Sequence, residues 1–328
     1  MRKTMVLALA VALAGLAPSQ AGALDILLTN DDGGGTPGII ALRAALCAAG
    51  HHVTQVASTS NQSGRGGALN TQALSSAGAM ALTRISTDSC GVVYSLAAPT
   101  GAGSFGGTPV DCVRAGLEVL LVSDPPDLVV SGLNPGQNEG KGAPSSSGTV
   151  GAALAGALRG IPAVAGSVEV DLSEAATGFP STFAAFPPAS DFIARLIAAL
   201  AAAPGDALLP QGVRMLNVNF PVPYGDIQGI ALTNLGDGSG LSIPLFDRNL
   251  GFPPVPPIPA LPNCLSLADG QACSVGVGFA PEPGPDPQRD ADTDALRAGL
   301  ISITPMDGDM TSSGAGSALQ GILSGITP

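Results

Sequence analysis

The feature that most constrains this chain is a repeated alternation. Short apolar runs stop abruptly at polar, glycine-bearing loops and are separated by runs with helical punctuation. LDILLTN (24–30) is one such run, short and apolar enough for a buried strand. PGIIALRAALCAAG (37–50) follows, with Pro at its start and Gly at its end, the asymmetry expected of a helix. HHVTQVA (51–57) reads as a second strand and leads into the loop STSNQSGRGGA. The pattern recurs in the helix GTPVDCVRAGLEVLL (107–121), the strand DLVVSGLN (127–134) and the alanine-rich helix TVGAALAGALRG (149–160). It continues in the strand IPAVAGSVEV (161–170) and the helix DFIARLIAALAAA (191–203). Such an order predicts an α/β fold with a Rossmann-like, doubly wound, mostly parallel sheet and helices on both faces.

Beyond about residue 203 the alternation weakens. MLNVNFP (215–221) and GIALTNL (229–235) read as later strands. LRAGLISITP (296–305) opens a closing unit, and SALQGILSGI (317–326) is a final short helix. Between them FPPVPPIPALPNC cannot pair within a sheet, because proline has no N–H to donate. The expected organisation is a signal peptide over 1–23 and a single domain over 24–328. Its core spans about 24–235, with a proline-rich insertion at about 252–262 and C-terminal oligomerisation elements at about 263–328.

The leader assignment rests on MRKTMVLALAVALAGLAPSQAGA. It has a basic start at Arg2 and Lys3, an apolar stretch too short for an ordinary membrane span, and small residues up to a cleavage position near Ala23. The mature chain is then periplasmic or secreted, with no membrane attachment after cleavage. Export places five cysteines in an oxidising compartment, so at least one is unpaired or pairs between chains. Cys264 and Cys273 flank a short loop and are the expected disulfide. Cys47 and Cys112 read as buried thiols, and Cys90 has no evident partner. Aromatic residues are only 3% and tryptophan is absent, so Ala, Val, Leu and Ile at close spacing must build the core. Formal charge is −12, becoming −14 without Arg2 and Lys3, and this excludes nucleic acid polymers and anionic membranes as partners.

In open α/β sheets, ligands bind beyond the carboxyl ends of the strands. That rule gathers Asp31 and Asp32 after the first strand, Asn61 and Ser63 after the second, and Asn134 after DLVV. Ser147, Gly148 and Thr149 stand before the alanine-rich helix. Two carboxylates, a hydroxyl and an amide form an oxygen-only set suited to Mg²⁺, Mn²⁺ or Ca²⁺. A blander reading is that Asp31 and Asp32 turn the chain and cap a helix. Ser147-Gly148-Thr149 offers N–H groups, hydroxyls and the positive end of a helix dipole, a phosphate seat, although an ordinary N-cap uses the same residues. A metal beside a phosphate seat makes phosphoryl hydrolysis the favoured chemistry. His51 and His52 are the only histidines and read as structural or exposed, and no G-x-S-x-G elbow occurs. G-x-G-x-x-G and P-loop signatures are absent too. Asp290, Asp292 and Asp294 hint at a calcium loop, but Ala295 and Ile301 replace its required Gly and Glu, so the run reads as a solvated turn.

These motifs, in this order, resemble the SurE family of metal-dependent 5′-nucleotidases. The matching stretches are LLTNDDG, TPGI, NQSG, GTPVDCV, PDLVVSGLNPGQNEG, SSGTVGAALAG, LNVNFP and LISITP. The resemblance implies a Rossmann-like core, a homodimer or homotetramer built by exchange of C-terminal elements, and hydrolysis of small phosphomonoesters such as nucleoside monophosphates with Mg²⁺ or Mn²⁺. It carries the metal ligands to Asp31, Asp32, Ser63 and Asn134, a neighbouring asparagine to Asn61, and phosphate binding to Ser147, Gly148 and Thr149. Asp31 or Asp32 would assist proton transfer as water attacks phosphorus. Departures from the pattern are GGGT after NDDG, a longer loop GKGAPSS facing the leaving group, the proline-rich insertion and the leader. They bear on substrate preference and quaternary structure. The rival reading is a non-catalytic protein that binds a metal or phospholigand on the same fold; a carboxylic ester hydrolase lacks its nucleophile elbow.

Overall fold

The computed structural model describes residues 22–71, 79–98, 106–238, 245–247, 276–278 and 285–309. The leader's residues 1–21, the proline-rich segment 252–262, Cys264, Cys273 and the helix expected over 317–326 lie outside them.

β1 (Asp25–Thr29) is buried from Ile26 onward, which is why its sequence is continuously apolar and does not alternate. It pairs in parallel with β2 (His52–Ser58), beyond which lie β4 (Gly91–Ala97) and β3 (Ala81–Asp88). On its other side follow β5 (Leu128–Pro135), β6 (Ala163–Val168) and β7 (Met215–Phe220), all parallel. β11 (Leu300–Met306) then runs antiparallel to β7, and β8 (Gly229–Leu232) closes that edge in parallel with β11. A separate antiparallel ribbon joins β9 (Leu245–Asp247) and β10 (Gly276–Gly278). Among the described residues the sheet is therefore nine-stranded, and it is mostly parallel, as the alternation predicts.

Helices cover both faces. α1 (Pro37–Ala48) and α5 (Pro180–Ala201) pack over one apolar layer containing Ile26, Leu28, Val130 and Val218. α2 (Pro109–Ala115) and α4 (Gly148–Ala157) cover the other, containing Leu27, Val129 and Met215. All ten residues of α4 are buried, so an amphipathic pattern would have been wrong for it. Its small residues let it seat deeply: a Cβ at Gly156 would lie 2.7 Å from Val129 Cγ2, and one at Gly151 would lie 2.3 Å from the Gly66 carbonyl.

Three local readings are corrected. α5 begins at Pro180 and runs through Pro187 and Pro188, well before the expected start at residue 191. Prolines weaken a helix interior, but burial of Ala185, Phe186 and Ala189 against the sheet outweighs the lost N–H donors. The β3–β4 hairpin is additional to the expected strands, and its turn carries Cys90 to the end of α1, where it forms a disulfide with Cys47 across 43 residues. Arg43 also holds Asp88 of that turn through two 2.8 Å hydrogen bonds. Cys47 and Cys90 are thus partners and not lone cysteines, while Cys112 is the buried free thiol expected, its ionisation opposed by burial. Thirdly, Asp292 is no solvated residue: it is completely buried in α6 (Asp292–Arg297). Asp290 does remain exposed.

Candidate active site

Connections diverge between β1 and β5. The chain leaves β1 toward β2 on one side and leaves β5 toward β6 on the other, with all these strands parallel. This is a topological switch point, where a crevice opens beyond the carboxyl ends. Asp31 and Asp32 leave one flanking strand, and Asn134 ends the other.

The turn after β1 is built by Asn30. Its amide donates to the Gly33 carbonyl and to Thr36 Oγ1, both at 3.0 Å, and its oxygen accepts from Gly33 N–H at 3.2 Å. Gly33 has φ +117°, a conformation that L side chains rarely adopt, so the glycine after the two aspartates is required by the turn itself. Asp31 is consequently held inward at the edge, with the half-buried Asp32 beside it. Asp31 is 3% exposed; it accepts Thr149 Oγ1 at 2.7 Å, and its carbonyl accepts the Gln62 N–H at 2.6 Å. Asp32 accepts from Asn61 Nδ2 at 3.2 Å through Oδ1, but its buried Oδ2 has no hydrogen-bond partner. Burial pushes the Asp31 carboxyl up, only partly offset by Thr149. Burial and then the neighbouring Asp31 charge push Asp32 up to about 7. No lysine, arginine or histidine forms an ion pair with either among the described residues.

Asn61 connects the second loop to this pair, since its Oδ1 accepts the exposed Ser63 N–H at 2.9 Å. α4 approaches from the other side. Ser147 caps the helix by accepting Val150 N–H at 3.1 Å. Thr149 gives both its hydroxyl and its backbone N–H to Asp31. A Cβ at Gly148 would stand 2.7 Å from Asp31 Cβ and 2.9 Å from its Oδ2, so only glycine permits this approach. The Thr149 hydroxyl is therefore engaged inward, whereas Ser147 Oγ accepts from Val150 and keeps its own O–H, which with the Gly148 N–H and the helix dipole is left for an anion. Asn134 is 8% exposed and donates its amide nitrogen to the Gly136 carbonyl at 2.6 Å, which leaves its oxygen as the atom able to ligate. Six predicted residues, Asp31, Asp32, Asn61, Ser63, Gly148 and Thr149, are thus linked by direct contacts. Ser147 adjoins them as the cap, and Asn134 reaches the same edge through the pairing of Thr29 with Ser131.

A divalent cation fits this set. Two desolvated carboxylates repel each other, one buried oxygen is unpartnered, and every other donor is a neutral oxygen. The two histidines do not contribute: His51 is buried and accepts the Leu24 N–H, and His52 pairs with Asp25 at the opposite edge. A cavity of about 650 Å³ also lies at that amino-terminal edge, lined by Leu24, Pro162, Leu208 and Arg214, far along the strands from the carboxylates.

Sequence reasoning missed the supports. Asn138 donates its N–H to Asn219 Oδ1 at 2.7 Å and its amide to Ser167 Oγ at 2.9 Å, while Asn217 and Asn219 both donate to its carbonyl. The signal was present as two asparagines in the otherwise apolar strand MLNVNF, where buried polar groups demand partners.

Comparison with known proteins follows the same residues. Residues 26–240 match the family described as Survival protein SurE. The chain is 33% identical over 306 residues to a 5′-nucleotidase SurE of Xanthomonas campestris pv. campestris (strain B100), covering 92% of this chain and 96% of the relative. It is 34% identical over 288 residues to a 5′-nucleotidase SurE of Thermosynechococcus vestitus, covering 87% and 91%. Among solved structures, a SurE protein from Aquifex aeolicus superposes with a TM-score of 0.63 at 26% identity, covering 91% of this chain and 99% of the other.

Proposed function

The chain belongs to the SurE family, and from that premise we propose that it is a divalent-metal-dependent phosphatase that releases phosphate from nucleoside 5′-monophosphates. Membership makes it a phosphoric monoester hydrolase; the nucleoside preference, the metal and the residue roles are our reading. The observation that carries it is the Asp31–Asp32 pair, Asp31 buried and Asp32 with one buried, unpartnered oxygen, set against the amino end of α4.

Asp31, Asp32, Ser63 and Asn134 would hold Mg²⁺ or Mn²⁺, with Ca²⁺ compatible with the same oxygens. When bound there, such an ion draws charge from phosphoryl oxygens and makes a nearby water more acidic. The chain supplies the rest. Gly148 N–H and the α4 dipole receive a phosphoryl oxygen, and Asn61 steadies Asp32. Thr149 fixes Asp31 in one orientation; with the buried Asp32 Oδ2 facing the ion, Asp32 Oδ1, held only by the exposed Asn61, would accept a proton from the attacking water. The crevice at the switch point takes the ester's leaving group on the side of residues 136–147.

Export and the periplasmic or secreted location are supported by the leader's pattern and by the Cys47–Cys90 disulfide, a bond favoured in oxidising compartments. Assembly as a homodimer or homotetramer completes the proposal. The test is phosphate release by the mature protein from nucleoside monophosphates and p-nitrophenyl phosphate with Mg²⁺, Mn²⁺, Ca²⁺ or EDTA. Release that requires an ion is the expected result; folded protein that binds Mn²⁺ yet releases nothing would favour the non-catalytic binder. N-terminal sequencing of exported protein should begin at Leu24.

A further inference from the structure

Nothing in the proposed chemistry uses Asp292, yet this carboxylate is completely buried and faces no cation among the described residues. Its charge is met by backbone N–H groups alone. Oδ1 accepts from Gly236 at 2.8 Å and Thr293 at 3.0 Å, and Oδ2 accepts from Gly140 at 3.0 Å, with Gly140 also 3.2 Å from Oδ1. Gly140 lies midway between Asn134 and Ser147, on the loop between the proposed metal ligand and the phosphate seat. The two segments fit closely. Gly140 has φ +71°, a Cβ there would lie 1.9 Å from the Gly238 carbonyl, and Lys141 N–H donates to the Gly236 carbonyl at 2.8 Å. At the surface Lys141 forms an ion pair with Asp237.

The loop's two ends are held by other means. Asn138 is anchored on β6 and β7, whereas Ser147, Gly148 and Thr149 are fixed by α4 and Asp31. Between them, Gly140 is tied to Asp292 and Lys141 to Asp237. We propose that Asp292 is a positioning residue: through Gly140 it sets the loop that joins Asn134 to the phosphate seat, which would flank the leaving group of an ester held between them, and so governs discrimination between nucleoside and smaller phosphate esters. This inference rests on the phosphatase reading above. The phosphate seat itself does not depend on Asp292, so a small ester that scarcely reaches that loop should be affected less.

Asp292→Asn is a selective probe. The retained oxygen can keep Gly236 and Thr293, while the new amino group faces the Gly140 N–H, donor against donor. The ratio of kcat/KM for adenosine 5′-monophosphate to that for p-nitrophenyl phosphate should fall about tenfold, within the loss that a misplacement of about 1 Å can cause. Hydrogen exchange followed by mass spectrometry should show faster exchange over residues 136–147 and no change over α4. Asp237→Asn removes the surface tie without disturbing buried groups, and should move the ratio the same way by a smaller factor. It decides the matter if Asp292→Asn does not fold. Equal loss on both substrates, or a faster-exchanging loop with an unchanged ratio, would overturn the proposal. If the unaltered protein releases phosphate from neither substrate, the phosphatase reading itself fails and takes this inference with it.

Discussion

Two groups of carboxylates, Asp31 with Asp32 and Asp286 with Asp292, differ in the donors that surround them. Asp31 and Asp32 have one hydroxyl, one amide and a few N–H groups between them, and Asp32 Oδ2 has nothing. Asp286 and Asp292 receive N–H groups from Gly140, Gly236, Asp237, Gly238, Gln288 and Thr293, together with the Thr293 hydroxyl. Burial is common to Asp31 and Asp292, so burial alone does not mark a functional carboxylate. What separates the groups is the orphan Oδ2 of Asp32, since burial raises the Asp31 and Asp292 carboxyls alike and Asp31 itself is hydrogen-bonded. An unpaired buried polar group costs about 1–3 kcal/mol, more when charged, and a fold that keeps one at a strand end has left room for a positive ligand. A fold that saturates its carboxylates has used them as scaffold.

The sharpest way to break this contrast is the same substitution in both groups. Asp32→Asn should lower kcat for phosphate release by about 10²–10⁴-fold, the usual contribution of a positioned proton-transfer group, while metal-free melting temperature holds or rises because the repulsion with Asp31 is gone. Asp286→Asn should do the reverse, lowering melting temperature without a loss of that size. If Asp32→Asn instead unfolds the metal-free protein, the pair is structural and the contrast fails. Gly148→Ala tests the approach of α4. Its Cβ must displace Asp31, so activity should fall about 10²-fold with an unchanged circular dichroism spectrum. Thr149→Val removes the hydroxyl that orients Asp31. By analogy with groups that orient metal ligands, Mn²⁺ affinity measured by calorimetry should weaken about 10–100-fold. Unchanged affinity would mean that Asp31 needs no orienting partner.

Local signals made the first of these regions legible in the sequence. Asp31 and Asp32 follow a short apolar run directly, and Ser147 to Thr149 precede a helix directly, so strand-end geometry collected them before any contact was known. The second region was misread as a solvated acidic turn because its meaning depends on distant partners: the donor on Gly140 is 152 residues from Asp292. The same limit hid the Cys47–Cys90 bond: TDSCG between two strand-like runs marks a turn, but not the helix to which that turn returns. Helix α5 was begun too late for a different reason. Pro187 and Pro188 disfavour a helix interior locally, and tertiary burial of Phe186 overrides them. Alternation over short spans therefore conveyed the sheet and its active edge, while the supports of that edge are long-range and polar.

Acid titration separates scaffold from site with the smallest effect, and its sign is fixed by the donors. Burial alone would raise the Asp286 carboxyl, but N–H groups of Gly238, Asp237 and Gln288 and the Thr293 hydroxyl outweigh it and leave the group at about 2, below its ordinary 3.8. The folded protein therefore holds the charged form more firmly than the unfolded chain does. Above pH 3.8 that preference is fully present; between 3.8 and about 2 the unfolded chain binds the proton first, and the contribution disappears as pH falls through the folded value. The melting temperature of the unaltered protein should accordingly exceed that of Asp286→Asn at pH 6, with the gap narrowing steadily toward pH 2. Because Asp286 is partly exposed, the gap should also shrink as salt is raised. A gap that stays constant down to pH 2 would show that the side chain's shape, and not its charge, holds the turn beside Asp292, and the distinction between a saturated and an unsaturated carboxylate would then lose its electrostatic basis.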